Sequence, residues 1–262
     1  MLEEAYHALH ALENAHWWYT GARAVYRTLM EIGLGRPQGG RRILEVGSGS
    51  GGNFPLLAAW GPTLGAELSP LALALTPEKP ALGLILASAD HLPLKDNAFD
   101  GVALLGVIEH LDDDLAALRE ARRVCRPGGA VILLTSAVPV LWSHHDEANR
   151  HRRRYWRAEL KGKLAQAGLE PIRLSYQNFF TFFPTLAVRL WQRRNPPPPR
   201  YDLSAPPRPV DALLAARLRL EAWFIRFFPL LIGVDLVAVC RPDTPVVDLP
   251  GFRKPGRSAS SN

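Results

Sequence analysis

The chain has 262 residues and a hydrophobic content of 47%, which is enough for one large α/β domain with additions. Its two cysteines, Cys125 and Cys240, have no paired spacing, which argues against a disulfide framework or a zinc cluster and is typical of a reducing cytoplasm. The net charge of +6 indicates either an arginine-rich surface or an anionic partner such as nucleic acid or phospholipid.

The N-terminal region is predicted to be a helical cap over residues 1–40. It begins Met-Leu-Glu-Glu, without the basic start and apolar core of a signal peptide, which predicts a cytoplasmic protein. Val25, Leu29 and Ile32 recur at helical spacing, so we expect one or two helices within 3–33, broken near Thr20-Gly21.

Strands and helices then alternate over residues 41–178. Strands are predicted at 42–46, 63–68, 82–87, 99–105, 130–135 and 169–176, with a last strand at 234–240. Helices are predicted at 53–60, from Ser69-Pro70 onward, at 112–124 and at 158–167. The turn at 126–129 is expected to separate the third of these helices from the fifth strand. This alternation predicts an α/β fold with a doubly wound, seven-stranded, mostly parallel sheet, whose ligands lie at the carboxyl ends of the strands.

An aromatic-rich segment, residues 179–229, interrupts the alternation and is predicted to be a helical insert. It contains a proline run at 196–199 and an amphipathic helix at 211–228. Charged residues interrupt the apolar pattern too often for a membrane span, so we expect a lid over the site rather than a segment lying on a bilayer. The last strand lies within 230–241, and residues 242–262 are predicted to be a disordered tail.

A glycine-rich turn after the first strand is the clearest ligand signal. Gly47, Gly49 and Gly52 fit the dinucleotide pattern G-x-G-x-x-G, and the stretch from Glu45 to Gly51 also fits Glu-x-Gly-x-Gly-x-Gly. Glycines let a backbone pass close to a ligand. Glu67, at the end of the next strand, would hold ribose hydroxyls whether the ligand is NAD or another adenosine cofactor. Glu45 would repel a pyrophosphate but could accept hydrogen bonds from a bound amino group or from the loop itself.

Further motifs occur in the order found in class I S-adenosylmethionine (SAM)-dependent methyltransferases. The segment 45–51 resembles their motif I, and 88–94 followed by Phe99-Asp100 resembles their third-strand loop. Residues 106–111 resemble the exit of strand 4 in type 11 methyltransferases, and 118–129 resemble the helix and turn before strand 5. The resemblance covers 41–136 and implies a Rossmann-like methyltransferase fold, SAM as cofactor and S-adenosylhomocysteine as product.

The resemblance also implies a set of cofactor contacts. In the family pattern Asp90 contacts the adenine amino group, and His91 and Leu92 flank the ring. Near Trp18 and Arg23 the chain resembles a bacterial subgroup of these enzymes. Trp18 would cap the cofactor, and Arg23 would approach its carboxylate. The structural alternative is a helix that packs two tryptophans on the core. The predicted cofactor residues are Glu45, Gly47, Ser48, Gly49, Gly51, Asn53, Glu67, Leu68, Asp90, His91, Leu92, Gly106, Trp18 and Arg23.

The polar loop 139–155, after the fifth strand, is the predicted acceptor side. A hydroxyl or ammonium acceptor must lose a proton, and we expect His145 or His151 to be the base, oriented by Asp146, with His110 in the acceptor pocket. The same bacterial subgroup resembles this loop, and Arg153, Arg154 and Tyr155 are predicted to bind the acceptor. A structural loop is the alternative, and no metal is predicted.

The predicted function is methyl transfer from SAM to an oxygen or nitrogen atom of a small-molecule or lipid- or sugar-linked acceptor. The alternatives are a nucleic-acid methyltransferase and a SAM-binding protein without catalysis. Against a nucleic-acid methyltransferase, residues 106–110 are Gly-Val-Ile-Glu-His, whereas amino-methylating DNA enzymes have Asn/Asp-Pro-Pro-Tyr at the exit of this strand. No transmembrane span is predicted; peripheral contact at the inner face of a membrane stays open, as does the oligomeric state.

Overall fold

A computed structural model describes residues 7, 10–195 and 206–243. It contains one seven-stranded sheet. The strands are β1 (Ile43–Val46), β2 (Thr63–Glu67), β3 (Leu84–Leu86), β4 (Phe99–Leu105), β5 (Cys125–Ser136), β6 (Leu169–Gln177) and β7 (Asp235–Pro242). Their order is β3-β2-β1-β4-β5-β7-β6, and β7 runs antiparallel to both of its neighbours. The predicted seven-stranded, mostly parallel α/β sheet is confirmed.

Helices cover both faces of this sheet. They are α1 (Trp17–Leu34), α2 (Phe54–Leu57), α3 (Pro70–Leu75), α4 (Asp114–Val124), α5 (His144–Ala148), α6 (Arg157–Gln166), α7 (Phe182–Arg194) and α8 (Arg208–Phe227). In β5, Val131 and Leu133 join one core cluster, while Ile132 and Leu134 join the other. Alternate residues of a strand face opposite sides, so a strand covered on both sides is apolar throughout.

Helix α1 runs without a break through Thr20 and Gly21, and the predicted break there is wrong. A Cβ atom at Gly21 would lie 2.7 Å from Leu218 Cδ1 of α8. Gly21 therefore allows two helices to pack closely, a contact between distant parts of the chain that local helix signals do not contain.

Three other boundaries differ from the prediction. The helix expected at 53–60 is the single turn α2, and the polar loop at 139–155 contains α5. The expected turn at 126–129 forms an irregularity within β5, where the pairing with β4 passes from Cys125 directly to Ala130, and Arg241 donates hydrogen bonds to the carbonyl groups of Gly128 and Gly129. The proline run at 196–199, the chain start at 1–6 and the tail at 244–262 lie outside the described residues.

The sheet brings distant residues to one edge. β1, β2, β4 and β5 are parallel, so their carboxyl ends lie together. Because β7 is antiparallel, its first residue, Asp235, lies beside Ser136 at the end of β5 and beside Gln177 at the end of β6. Among the described helices, none is long and apolar enough to cross a membrane.

Candidate functional site

A cavity of about 810 Å³ opens at the carboxyl edge of the sheet, within the usual size range of small-molecule sites. Its wall combines the glycine turn after β1, the end of β2, the loop after β4 and the segment between α5 and Tyr155. The start of α1 and one side of α7 close it. The predicted cofactor side and the predicted acceptor side therefore share one cavity.

The glycine turn has a backbone that side chains would obstruct. Gly47 and Gly49 have φ angles of 70° and 55°, and a Cβ atom at Gly47 would lie 2.5 Å from Val107 Cγ2. Glu67 holds the turn, because its two carboxylate oxygens accept hydrogen bonds from the backbone N–H groups of Gly49 and Ser69, both at 2.9 Å. Glu67 also lines the cavity, and each of its oxygens has room for a further hydrogen bond.

Glu45 lies behind this turn and is fully buried. Its Oε1 atom accepts a hydrogen bond of 2.8 Å from Asn53 Nδ2, while Oε2 has no hydrogen-bond partner among the described residues. Burial raises the pKa of Glu45 to about 8, although the hydrogen bond from Asn53 opposes the shift. Ser48 Oγ is also buried without a partner in the described chain. Asn53 and Ser48 line the cavity, whereas Glu45 does not.

The segment before α1 closes over the glycine turn. Glu13 Oε1 accepts a hydrogen bond of 3.0 Å from Ser50 Oγ, and a Cβ atom at Gly52 would lie 2.3 Å from Glu13 Oε2. Arg23 donates a hydrogen bond of 2.5 Å to the carbonyl group of Glu13. Arg23 and Trp18, both predicted cofactor residues, lie in the cavity wall.

The predicted adenine contacts are only partly assembled. Leu68 and Gly106 lie in the wall, together with 87–89. Asp90, His91 and Leu92 do not line it: Asp90 and His91 are exposed, and Leu92 is buried in the core. The Asp90 carboxylate accepts a hydrogen bond from Ser88 Oγ.

Asp146 organises the side of the cavity that is predicted to face the acceptor. Its buried carboxylate accepts hydrogen bonds from His151 Nδ1 at 2.8 Å and from Arg154 Nε at 2.7 Å, both on Oδ1. The backbone N–H of Ser143 donates to Oδ2 at 2.9 Å. Burial by itself would raise the pKa of Asp146, but the hydrogen bond from His151 and the charge of Arg154 outweigh it and hold the pKa at about 2. Asp146 is therefore ionised at neutral pH. It bonds Nδ1 of His151, so the other ring nitrogen, Nε2, does not bond Asp146.

Three histidines cluster in the wall. The rings of His110 and His151 meet edge to face with centroids 4.7 Å apart, and those of His145 and His151 are 6.2 Å apart. Burial lowers the pKa of His110, whereas His145 is exposed and contacts the side-chain amide of Asn149. Of these three histidines, His151 alone bonds Asp146.

Arg153 and Tyr155, both predicted to bind the acceptor, make their contacts within the fold. Tyr155 is fully buried, and its hydroxyl donates a hydrogen bond of 2.6 Å to Asp114 Oδ2. Arg153 donates to the carbonyl groups of Leu111 and Asp112. Neither residue lines the cavity. The chain is extended here, so residues 153 and 155 point to the side opposite residue 154.

Arg154 does line the cavity, but its guanidinium is committed to the fold. Besides Asp146, it bonds the carbonyl groups of Ala137 and, at 3.4 Å, Val234. It connects the loop to the ends of β5 and β7. Its contacts are those of a residue that holds Asp146 in place.

The charged residues of the wall that were not predicted from the sequence include Glu109, Arg189 and Asp235. Glu109 accepts hydrogen bonds from Thr135 Oγ1 at 2.9 Å and from the backbone of Ser136; its place in the 106–111 motif was the available signal. Asp235, whose pKa burial raises to about 7, was visible as a charge at the start of an apolar strand. Arg189 of α7 had no local signal, because only the tertiary fold brings α7 to the cavity. In the described part of the chain, no group of three or more side chains forms a metal site.

Similarity to known proteins agrees with a cofactor site at the glycine turn. Residues 44–133, from β1 to β5, match the family model described as a methyltransferase domain. Over this region the chain is similar to class I SAM-dependent methyltransferases. The matched region includes the glycine turn, Glu67 and the loop after β4, and SAM is the cofactor that this family implies.

A curated relative matches part of the chain. A demethylmenaquinone methyltransferase of Staphylococcus aureus (strain JH9) is 33% identical over 123 residues, which are 44% of this chain and 50% of that protein. The chain thus spans about half the length of the curated relatives it matches.

Solved structures show the same fold. One is a putative methyltransferase in complex with the Trm112 methyltransferase activator of Haloferax volcanii, with 18% identity and a TM-score of 0.59 over 92% of this chain and 96% of that one. Another is a geranyl diphosphate methyltransferase in complex with SAM, with 14% identity and a TM-score of 0.53 over 85% of each chain.

Proposed function

We propose that this protein transfers a methyl group from SAM to an oxygen or nitrogen atom of a small-molecule or lipid- or sugar-linked acceptor. The observation that carries the proposal is a single cavity bounded by the glycine turn on one side and by the Asp146–His151 pair on the other. The relative from Staphylococcus aureus is named for demethylmenaquinone, which supports a small-molecule acceptor.

The residues of the cofactor side fit SAM. Gly47 and Gly49 form a cradle that a Cβ atom would obstruct, and Glu67 offers carboxylate oxygens to ribose hydroxyls. Ser48, which lines the cavity, has a buried Oγ atom without a partner in the described chain, as expected where a polar ligand group completes the site. When bound, SAM supplies an electrophilic methyl group on a positively charged sulfur.

His151 is the proposed proton acceptor. Its Nδ1–H donates to Asp146 Oδ1, which leaves Nε2 with a free lone pair for the hydroxyl or ammonium proton of the acceptor. The Asp146 carboxylate holds the ring in this tautomer and stabilises the imidazolium that forms. Arg154 keeps Asp146 in place from the other side. The neighbouring rings of His110 and His145 restrict the access of water to His151.

The first test is a SAM-consumption screen against fractions of cell extract, followed by mass identification of the methylated product. Binding of SAM without turnover on any fraction would favour the non-catalytic alternative. Absence of SAM binding in calorimetry would refute the assignment of the cofactor side.

The base is tested on the identified acceptor with His151→Ala. We expect kcat to fall by about 10²-fold or more, with SAM affinity unchanged and the loss smaller at high pH, where the acceptor ionises by itself. His144→Ala is the matched control, because His144 is exposed, bonds Glu147 and lies outside the cavity wall. Full activity of His151→Ala would show that His151 is not the proton acceptor.

A further inference from the structure

Helix α8 exposes a continuous apolar stripe. Leu213, Leu220, Trp223 and Phe227 are 70%, 49%, 55% and 52% exposed, and their spacing places them on one side of a helix. The opposite side of α8 is buried, and it packs on α1 near Gly21. These four residues are called the outer stripe of α8 below.

The apolar surface continues beyond the end of the helix. Phe228 is 64% exposed and Leu231 is 77% exposed. The rings of Trp223 and Phe227 have centroids 5.2 Å apart, and those of Phe227 and Phe228 are 6.3 Å apart. Scattered exposed apolar residues are ordinary, but a contiguous row of this kind marks a surface that binds something.

A row of arginines runs beside the outer stripe. Arg208, Arg219 and Arg226 are separated by 11 and 7 residues, which at 3.6 residues per turn places them within about 20° of one another around the helix. Arg226 pairs with Glu31, whereas no ion pair within the described residues involves Arg208 or Arg219. The apolar stripe and the basic row therefore lie side by side.

The acidic residues of α8 face inward. The Asp211 carboxylate accepts a hydrogen bond of 2.8 Å from the backbone N–H of Trp17. Glu221 is fully buried and accepts one of 2.6 Å from the backbone N–H of Asn178. The charge that α8 presents outward is accordingly positive.

The insert also carries most of the net charge of the chain. Residues 179–229 contain eight arginines and three acidic residues, a net charge of +5, against +6 for all 262 residues. Arg189 lines the cavity, and Arg217 and Arg226 pair with acidic residues. The positive charge beside the outer stripe that has no ion-pair partner within the described residues is therefore that of Arg208 and Arg219, and such charge attracts an anionic partner.

We propose that the outer stripe of α8 docks on the surface of an anionic lipid bilayer, with the helix parallel to the membrane plane. Aromatic and leucine side chains would enter the boundary between headgroups and acyl chains, and the arginines beside them would contact lipid phosphates. Exposed apolar side chains next to a basic row match the boundary between the acyl chains and the anionic headgroups of a bilayer. The docking is independent of the methyl transfer proposed above and stands or falls separately.

The test is co-sedimentation of the full chain with vesicles of phosphatidylcholine and phosphatidylglycerol, compared with vesicles of phosphatidylcholine alone. We expect binding to the anionic vesicles that weakens at high salt. Trp223 and Phe227 both changed to Ser should lower the partition coefficient more than tenfold. Arg208 and Arg219 both changed to Gln should lower it by roughly 25-fold, about fivefold for each charge near the surface.

Matched controls remove the same chemistry elsewhere. Leu86→Ser changes a side chain that is 58% exposed at the β3 edge of the sheet. Arg36→Gln with Arg119→Gln removes two charges from other exposed positions. Both controls should keep the wild-type partition coefficient.

Three outcomes would overturn the proposal. The first is no binding of the wild type to anionic vesicles, and the second is an equal loss of binding in the Arg36/Arg119 control. The third is a wild-type oligomer that is lost in the Trp223/Phe227 variant while vesicle binding does not change. The last result would assign the outer stripe to contact between copies of this chain. SAM binding by each variant, measured in the same preparations, shows whether the fold is intact.

Discussion

The buried carboxyl of Glu45 gives a prediction whose size can be worked out. Burial raises its pKa from 4.5 to about 8, so the folded protein keeps a proton on Glu45 at pH values where the unfolded chain has lost it. The stability that goes with this proton is complete below pH 4.5 and is lost as the pH rises toward 8. With about 1.4 kcal/mol per pKa unit, the free energy of unfolding should fall by up to about 5 kcal/mol across this window.

The substitution Glu45→Gln removes this dependence. Gln keeps an oxygen that can accept the hydrogen bond from Asn53 and cannot ionise in either state. The free energy of unfolding of Glu45→Gln minus that of the wild type should therefore increase steadily from pH 4.5 to pH 8 and then level off. Asp235, whose pKa burial raises to about 7, adds the same trend to both proteins and cancels in the difference.

The assay is urea denaturation of both proteins without ligand, followed by circular dichroism at half-unit pH steps. The slopes with denaturant should agree, since the surface exposed on unfolding is the same. Glu78→Gln, at an exposed position, is the control and should follow the wild type. A constant difference between Glu45→Gln and the wild type at all pH values would refute the reasoning, because it would mean that Glu45 has the same pKa in the folded and unfolded states.

Two further predictions concern the two sides of the cavity. Asp146→Asn should destabilise the fold by about 3–5 kcal/mol in denaturant titration, because it leaves the buried guanidinium of Arg154 without its counter-charge; a loss of activity with unchanged stability would show that Asp146 acts on catalysis alone. Glu67→Ala should weaken SAM binding in calorimetry by more than tenfold, because it removes the ribose contact and the support of the Gly49 backbone. Glu78→Ala is the control, and unchanged SAM affinity of Glu67→Ala would refute the ribose role.

The sheet could be predicted because its signals are local. Short apolar runs separated by helical patterns define strands covered on both faces, and β4 was predicted at its observed bounds. Glycines with positive φ angles, such as Gly47, mark a turn that other residues adopt with strain. The unbroken helix through Gly21 could not be predicted, since the reason for that glycine is Leu218, almost two hundred positions away.

Candidate side chains of the segment 139–155 were predicted from the sequence, including Asp146 as the partner of His145 or His151, but most of their contacts were not. The His, Asp and Arg residues of this segment are visible in the sequence, yet only the fold shows that Asp146 bonds both His151 and Arg154. The opposite directions of Arg154 and Tyr155 follow from how the segment pairs with the end of β5. No pattern within 139–155 contains that pairing.

The sequence by itself determined the fold class, the glycine turn and the cofactor family, because each depends on residues that are neighbours along the chain. The tertiary structure decided which histidine keeps a carboxylate partner, which arginine holds the fold, and which side of α8 faces outward. These depend on burial and on contacts between distant segments, and burial sets the pKa of a group such as Glu45 more strongly than its neighbours in sequence do.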